Sequence, residues 1–248
     1  MADAVGWIEA DWPAPPGIRA GTTTRAGGGS RGHWASLNLA AHVDDDTAAV
    51  AANRARLRDA LRLPAEPFWL EQVHGKRLVE AGDTGDRRAD GSWTRAPGVV
   101  CAVLTADCLP VLLCDRAGTR VAAVHGGWRG LAAGVIGAAV EALAVVPADI
   151  MAWLGPAIGP DAFEVGAEVR SAFLAVDAGH EGDFRPGADG RWLADLYGIA
   201  RRQLLGLGVS GIYGGGYCTF RDAGRFYSYR RDGTTGRMAS LIWRVAGG

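Results

Sequence analysis

The chain has 248 residues, 48% of them hydrophobic, with 26 basic and 27 acidic side chains and a formal net charge of −1. That length can bury a substantial core, and the balanced charge supplies no basic field for nucleic acid, so a small-molecule partner is expected. With only four cysteines a disulfide framework is not indicated, and the thiols are expected in the core, in catalysis or on a metal.

The acidic start, MADAVGWIEADWPAPP, has neither a basic segment nor an apolar run. No secretory or transit leader is read there, and a cytoplasmic location is expected. Residues 18–39 follow one short strand with a stretch rich in Gly, Thr and Ser, a long loop with Arg25 and Asn38 towards its ends. Loops of that length in compact domains are usually functional. Asp44, Asp45, Asp46 and Thr47 precede a helical pattern carrying Val50, Leu57 and Leu61, so the acidic residues are read as a helix cap and not a metal site.

Residues 67–73 read as a strand that delivers His74 and Gly75, with 76–81 as its continuation or return, and 82–97 as a polar surface connection. Three apolar runs follow at 99–104, 109–114 and 121–124. They read as strands, the last two joined as a hairpin through Asp115 to Thr119. Setting Cys114 opposite Arg120 brings Cys108 beside Gly126 and next to His125. A helix is expected from Gly130 to Val146, interrupted by Glu141 and closed by Pro147, which makes it a buried helix and not a membrane span. Gly126 and Gly127 before it would present free backbone N–H groups.

Beyond the centre, 149–154 reads as a strand, 163–176 and 193–207 as helices, 212–217 as a strand leading to Cys218, and 225–230 as a final strand. Gly206 to Gly211 matches G-x-G-x-x-G but follows a helix and precedes a strand, the wrong order for a dinucleotide site. Five histidines are too few for a blue multicopper oxidase, which needs a type 1 site and an imidazole-rich trinuclear cluster. The chain has no C-x-x-C of a zinc deaminase, no Walker A sequence and no G-x-S-x-G elbow. What remains is His74, Cys108 and His125, each at the end of an apolar strand. Two imidazoles and a thiolate suit zinc with an open fourth position, or equally a Cys–His catalytic pair, and spacing alone leaves both open.

Trp69–Gly75 (WLEQVHG), Leu104–Pro110 (LTADCLP) and Ala123–Gly130 (AVHGGWRG) resemble the YfiH-like family, also called the laccase-domain or polyphenol oxidase family and regarded as purine nucleoside phosphorylases. The likeness runs in order through Thr24-Arg25, Ser36–Leu39, Asn53-Arg54, Leu154–Gly159, Phe163–Val165, Cys218-Thr219, Tyr229–Arg231 and Thr235–Arg237. It implies a single layered mixed α/β domain over residues 1–248, with mixed sheets covered by helices. It also implies a zinc on His74, Cys108 and His125, and phosphorolysis of adenosine, inosine, guanosine or methylthioadenosine with adenosine deamination as a second activity. The older family name implies a copper-dependent phenol oxidase, and a cysteine-dependent hydrolase or amidase acting on a cell-wall precursor is a further alternative. Within the phosphorylase reading, phosphate is expected at Gly126 and Gly127 with Arg129, or on Arg25. Asp107 is a candidate to hold a ligating histidine or to shuttle a proton, and Asn38 and Arg230 join the substrate-binding candidates.

Overall fold

Apolar runs without polar interruption need both faces covered, and the layering supplies that cover. In a computed structural model describing residues 4–83 and 85–245, the strands Leu109–Asp115 and Val121–Gly126 form the middle of a six-stranded mixed sheet. Ile150–Leu154 and Gly211–Gly214 extend it on one side, Gly91–Thr94 and Leu78–Glu80 on the other. The sheet is antiparallel at its centre and parallel in its outermost pairs. A second, antiparallel sheet runs Trp7–Glu9, Ile18–Thr23, Met238–Arg244, Val100–Thr105. A small three-stranded sheet joins Phe184–Pro186, Trp192–Ala194 and Glu164–Val165.

Alternation along each strand sorts side chains between layers. Leu112, Cys114, Val121 and Ala123 meet Cys101, Val103, Ala20 and Ile242 between the two large sheets. Their neighbours Val111, Leu113, Ala122 and Val124 pack on Leu131, Ile136 and Ala139 of the helices over the opposite face. On the outer side of the four-stranded sheet, Val100, Ala102 and Leu241 lie under Leu57 of the helix Thr47–Leu61. The result is a mixed α/β architecture of helix, sheet, sheet and helices. No described helix is long and apolar enough to cross a membrane.

Several expectations are corrected. The hairpin register pairs Cys114 with Val121 and Leu109 with Gly126, one residue from the expected alignment. The cause is Asp115, which stays in the strand and closes the turn, its carboxylate accepting from the N–H of Thr119 and Arg120 and from the Thr119 hydroxyl. The expected helix after Gly130 is two, Trp128–Ala133 and Val135–Leu143, broken where Gly134 takes φ +91°. Residues 67–73 form no strand and make only isolated bridges, Phe68 to Cys101 and Glu71 to Arg88. The supposed surface connection 82–97 holds the buried strand Gly91–Thr94. Arg225–Arg230 is not the final strand, because Tyr229–Asp232 is a short helix. That place belongs to Met238–Arg244, which pairs with two neighbours across the second sheet. The helices expected at 163–176 and 193–207 begin later, at Ala167 and Leu196, after the short strands Glu164–Val165 and Trp192–Ala194. Of the three aspartates, Asp46 caps the first helix through Ala49 N–H, at 2.7 Å, as the sequence suggests.

The two large sheets exchange the chain at residues 106–108. Val100–Thr105 lies in one and Leu109–Asp115 in the other, with Asp107 at φ +96° in the crossing. Replacing Asp115 by Ala leaves three part-buried donors of the turn without their charged acceptor and is expected to destabilise the fold by about 1–3 kcal/mol, read by urea denaturation.

Candidate metal centre

The sheet crossing delivers Cys108, the end of Val121–Gly126 delivers His125, and the turn after residue 73 delivers His74. Their ligand atoms lie within 4.8 Å of one another. The rings of His74 and His125 meet edge to face at 4.8 Å between centroids, and the Cys108 sulfur is 4.0 Å from His74 Nε2.

The group that holds the arrangement is Asp90, fully buried at the start of the strand Gly91–Thr94. One carboxylate oxygen lies 2.8 Å from His125 Nδ1 and accepts from His74 N–H at 2.8 Å, and the other accepts from Gly75 N–H at 2.6 Å. The main chains pair as well, His125 N–H donating to the Asp90 carbonyl. His74 has φ +61°, a left-handed conformation that costs a non-glycine residue about 1–2 kcal/mol. The Asp90 carboxylate offsets that cost by gathering successive N–H groups into one anion nest. With Nδ1 engaged by a carboxylate, His125 turns Nε2 towards the cluster, the usual bracing of a metal-ligating histidine.

The glycines of the His125–Gly130 segment make room. A Cβ on Gly127 would lie 2.9 Å from the His74 ring, 3.3 Å from the Cys108 sulfur and 3.4 Å from the His125 ring. A Cβ on Gly130 would meet the Gly75 carbonyl at 2.8 Å, and one on Gly126 the Leu109 carbonyl at 2.8 Å. Gly127 is therefore the bare wall of the cradle. The donor set, two imidazoles and a thiolate with the sulfur partly accessible, fits zinc with a position left for substrate or water.

Electrostatics favour a thiolate. Burial alone pushes the Cys108 thiol up, but the imidazoles of His125 and His74 outweigh it and bring it down to about 6. Burial opposes a charged His125, and the neighbouring Cys108 and Asp90 reverse that and raise it. Asp90 is held below the ordinary carboxylate range because hydrogen bonds from His125, Gly75 and His74 overcome its burial. Cys101 and Cys114, without such partners, are pushed up to about 12 by burial.

Two cavities open on the cluster and share His74, Ala106, Cys108 and Tyr229 as their common wall. One, of about 230 Å³, is lined by Trp128, Ile158, Phe163, Leu196, Arg129 and Arg230. The other, of about 460 Å³, is lined by His42, Gln72, Thr105, His125 and Arg237.

The remaining sequence candidates are distributed unevenly. Arg129 lies on the Trp128 ring, and Arg230 donates to the Glu164 carbonyl at 2.6 Å beside Phe163, both at the smaller cavity. Asp107 faces the same cavity, but its oxygens accept from the Thr219 hydroxyl at 2.6 Å and Arg230 N–H at 2.7 Å. It braces the C-terminal segment, and the histidine-orienting carboxylate is Asp90. Arg25 is bound to the carbonyls of Ala35 and Ala223 and lies over Tyr227, lining neither cavity. Asn38 is fully buried, its amide bonded to Ala40, Asp45 and Arg237. Gly126 and Gly127 precede a helix of only six residues and serve the packing described above. Sequence reasoning missed Asp90 and Arg237. Asp90 was hidden in a polar segment, its one signal being its place directly before the strand-like Gly-Ser-Trp-Thr.

The profile described as multi-copper polyphenol oxidoreductase laccase matches residues 19–245. A protein of Pseudomonas aeruginosa named purine nucleoside phosphorylase is 57% identical over 96% of this chain and 98% of its own length. The purine nucleoside phosphorylase YfiH of Escherichia coli is 54% identical over the same 96% and 98%. Among solved structures, a Neisseria meningitidis protein described as DUF152 superposes with a TM-score of 0.93 at 48% identity, covering 97% of this chain and 100% of that one.

Exchanging Asp90 for Asn turns a donor towards donors and should lower zinc affinity about 10–100-fold, measured by chelator competition. In metal-free protein, iodoacetamide labelling of the Cys108 peptide should be half-maximal near pH 6 and fall as acid protonates the thiolate. An ordinary cysteine reaches that point near about 8.5, and zinc should protect Cys108 throughout.

Proposed function

The chain belongs to the YfiH-like, laccase-domain family, and from that membership we propose that it is a purine nucleoside phosphorylase built around a zinc on His74, Cys108 and His125. The observation that carries the reading is that His74 and Cys108 of the cluster lie on the shared wall of two cavities, one with Trp128 and Phe163 beside two arginines and one with Arg237, Thr105 and His42. Phosphorolysis breaks the C1′–N9 bond, leaves its electron pair on the purine and joins a phosphate oxygen to C1′. The proton of the hydrogen phosphate dianion ends on the purine, which balances the reaction.

The smaller cavity suits the base. Trp128 and Phe163 offer aromatic faces, Ile158 and Leu196 an apolar floor, and Arg129 and Arg230 cationic donors at the rim. Guanidinium donors aimed at purine nitrogen or oxygen atoms stabilise the charge that develops on the departing base. Asp107 acts as a positioning residue, since its carboxylate holds Arg230 N–H. Bound zinc supplies a Lewis acid that polarises a substrate oxygen or lowers the pKa of a water to about 7. Adenosine, inosine, guanosine and methylthioadenosine are the proposed substrates, with adenosine deamination as a second activity that consumes water and not phosphate.

A cysteine-dependent hydrolase is the rival reading, favoured by the depressed Cys108 thiol beside two imidazoles. Phenol oxidation by a multicopper centre has little to stand on, with five histidines in the whole chain and two in this cluster. With inosine, the zinc-loaded protein should release hypoxanthine only when phosphate is present, with ribose 1-phosphate as the co-product by chromatography. Free ribose, or cleavage without phosphate, would overturn the phosphorylase reading.

A further inference from the structure

Arginines in this fold are mostly spent. Arg25 serves loop carbonyls and Arg54 the Leu39 carbonyl, while Arg231 binds carbonyls and Asp232. Arg237 lines the larger cavity as Arg129 and Arg230 line the smaller one, and none of the three has a carboxylate partner among the described residues. Nη1 of Arg237 donates to the carbonyls of Thr235 and Gly236, and its guanidinium sits 5.8 Å from the centroid of the Tyr229 ring, which borders the larger cavity as well. Burial lowers the pKa of Arg237, while Cys108, Asp107 and Tyr229 act on it from a distance in the opposite sense.

A second observation comes from Thr105 in the lining of the same cavity. It is 2% exposed, and its hydroxyl has no hydrogen-bond partner. A buried hydroxyl left unpaired is unfavourable, and a ligand accepting or donating there would relieve it. His42 lies at the exposed rim of the cavity, its imidazole kept below the usual histidine range by partial burial and by the charges of Arg237 and Arg54. A guanidinium held only by backbone carbonyls, an orphan hydroxyl and an imidazole around one space describe a site for a compact oxyanion.

We propose that the larger cavity is the phosphate subsite, with Arg237 as its principal donor, Thr105 and His42 completing it, and the purine in the neighbouring aromatic cavity. This rests on the phosphorylase reading for the identity of the anion. It moves phosphate from the expected positions, Arg25 and the Gly126–Gly127 approach, to a residue that sequence reasoning passed over. It also gives the two cavities separate tasks. A phosphate held at Arg237 reaches C1′ across the wall made by His74 and Cys108 while the base leaves into the Trp128–Phe163 side.

The test uses the zinc-loaded full chain and inorganic phosphate. Arg237→Met should raise the KM for phosphate about tenfold or more, the loss expected for a charge-assisted pair, and leave the KM for inosine within about twofold. Thr105→Val should raise phosphate KM by a smaller factor, and Arg129→Met should raise inosine KM alone. Titration of phosphate by calorimetry, with no nucleoside present, should show the same loss in Arg237→Met. Phosphate binding unchanged in Arg237→Met, or abolished instead by Arg129→Met or Arg25→Met, would overturn the assignment. If Arg237→Met fails to fold, Arg237→Lys, which keeps the charge and loses the fork, should weaken phosphate binding to an intermediate degree, and no weakening would overturn it. A chain that makes no ribose 1-phosphate loses the phosphorylase reading, yet the calorimetric arm still decides whether Arg237 holds the anion.

Discussion

A carboxylate buried without water is sustainable only where donors surround it, and Asp90 meets that condition with contributions from two otherwise separate parts of the chain. The His125 ring reaches it from the central hairpin, and the N–H groups of His74 and Gly75 reach it from the turn between residue 73 and the edge strand. The same charge orients one imidazole, stabilises the left-handed backbone that presents the other, and raises the proton affinity of the histidine facing Cys108. The cluster is thus an outcome of where the strand Gly91–Thr94 begins. Its parallel neighbour Leu78–Glu80 and antiparallel neighbour Val121–Gly126 place the two histidines on either side of Asp90.

Much of this was legible in the chain. Uninterrupted apolar runs at 99–104, 109–114 and 121–124 announced strands, and the structure covers them on both faces with a second sheet and helices. His74, Cys108 and His125 stood out because each follows such a run next to glycine or a turn. The physical reason Asp90 did not is that a charged residue amid polar neighbours is ordinarily solvated, and its burial depends on partners far along the sequence. Arg237 was obscured for a related cause. The strand Met238–Arg244 behind it lies in the second sheet, and the alternation of 225–230 imitated a strand where Tyr229–Asp232 forms a helical turn.

The one-residue error in register carries its own lesson. Side chains alternate along a ladder, so a slip exchanges faces, yet the meeting of Cys108 and His125 survives because Cys108 lies just outside the ladder, in the crossing between sheets. Contact there is set by the crossing and by the missing side chain of Gly127. The glycine-rich segment before Trp128, which by pattern suggests an anion-binding helix start, is instead a set of close approaches: Gly126 to Leu109, Gly127 to the three ligands, Gly130 to Gly75. Helices need such clearances when their first turn sits directly on a functional centre.

The three side chains of the candidate metal cluster come from three distant segments and are braced by a fourth. A nascent or partly unfolded chain therefore offers no local chelate, unlike proteins in which paired cysteines or histidines on one short loop seize whichever divalent ion arrives first. Such a donor set is assembled only once long-range sheet pairing is complete, so any ion it takes would meet a cradle of fixed geometry, and not a flexible loop whose choice follows raw affinity.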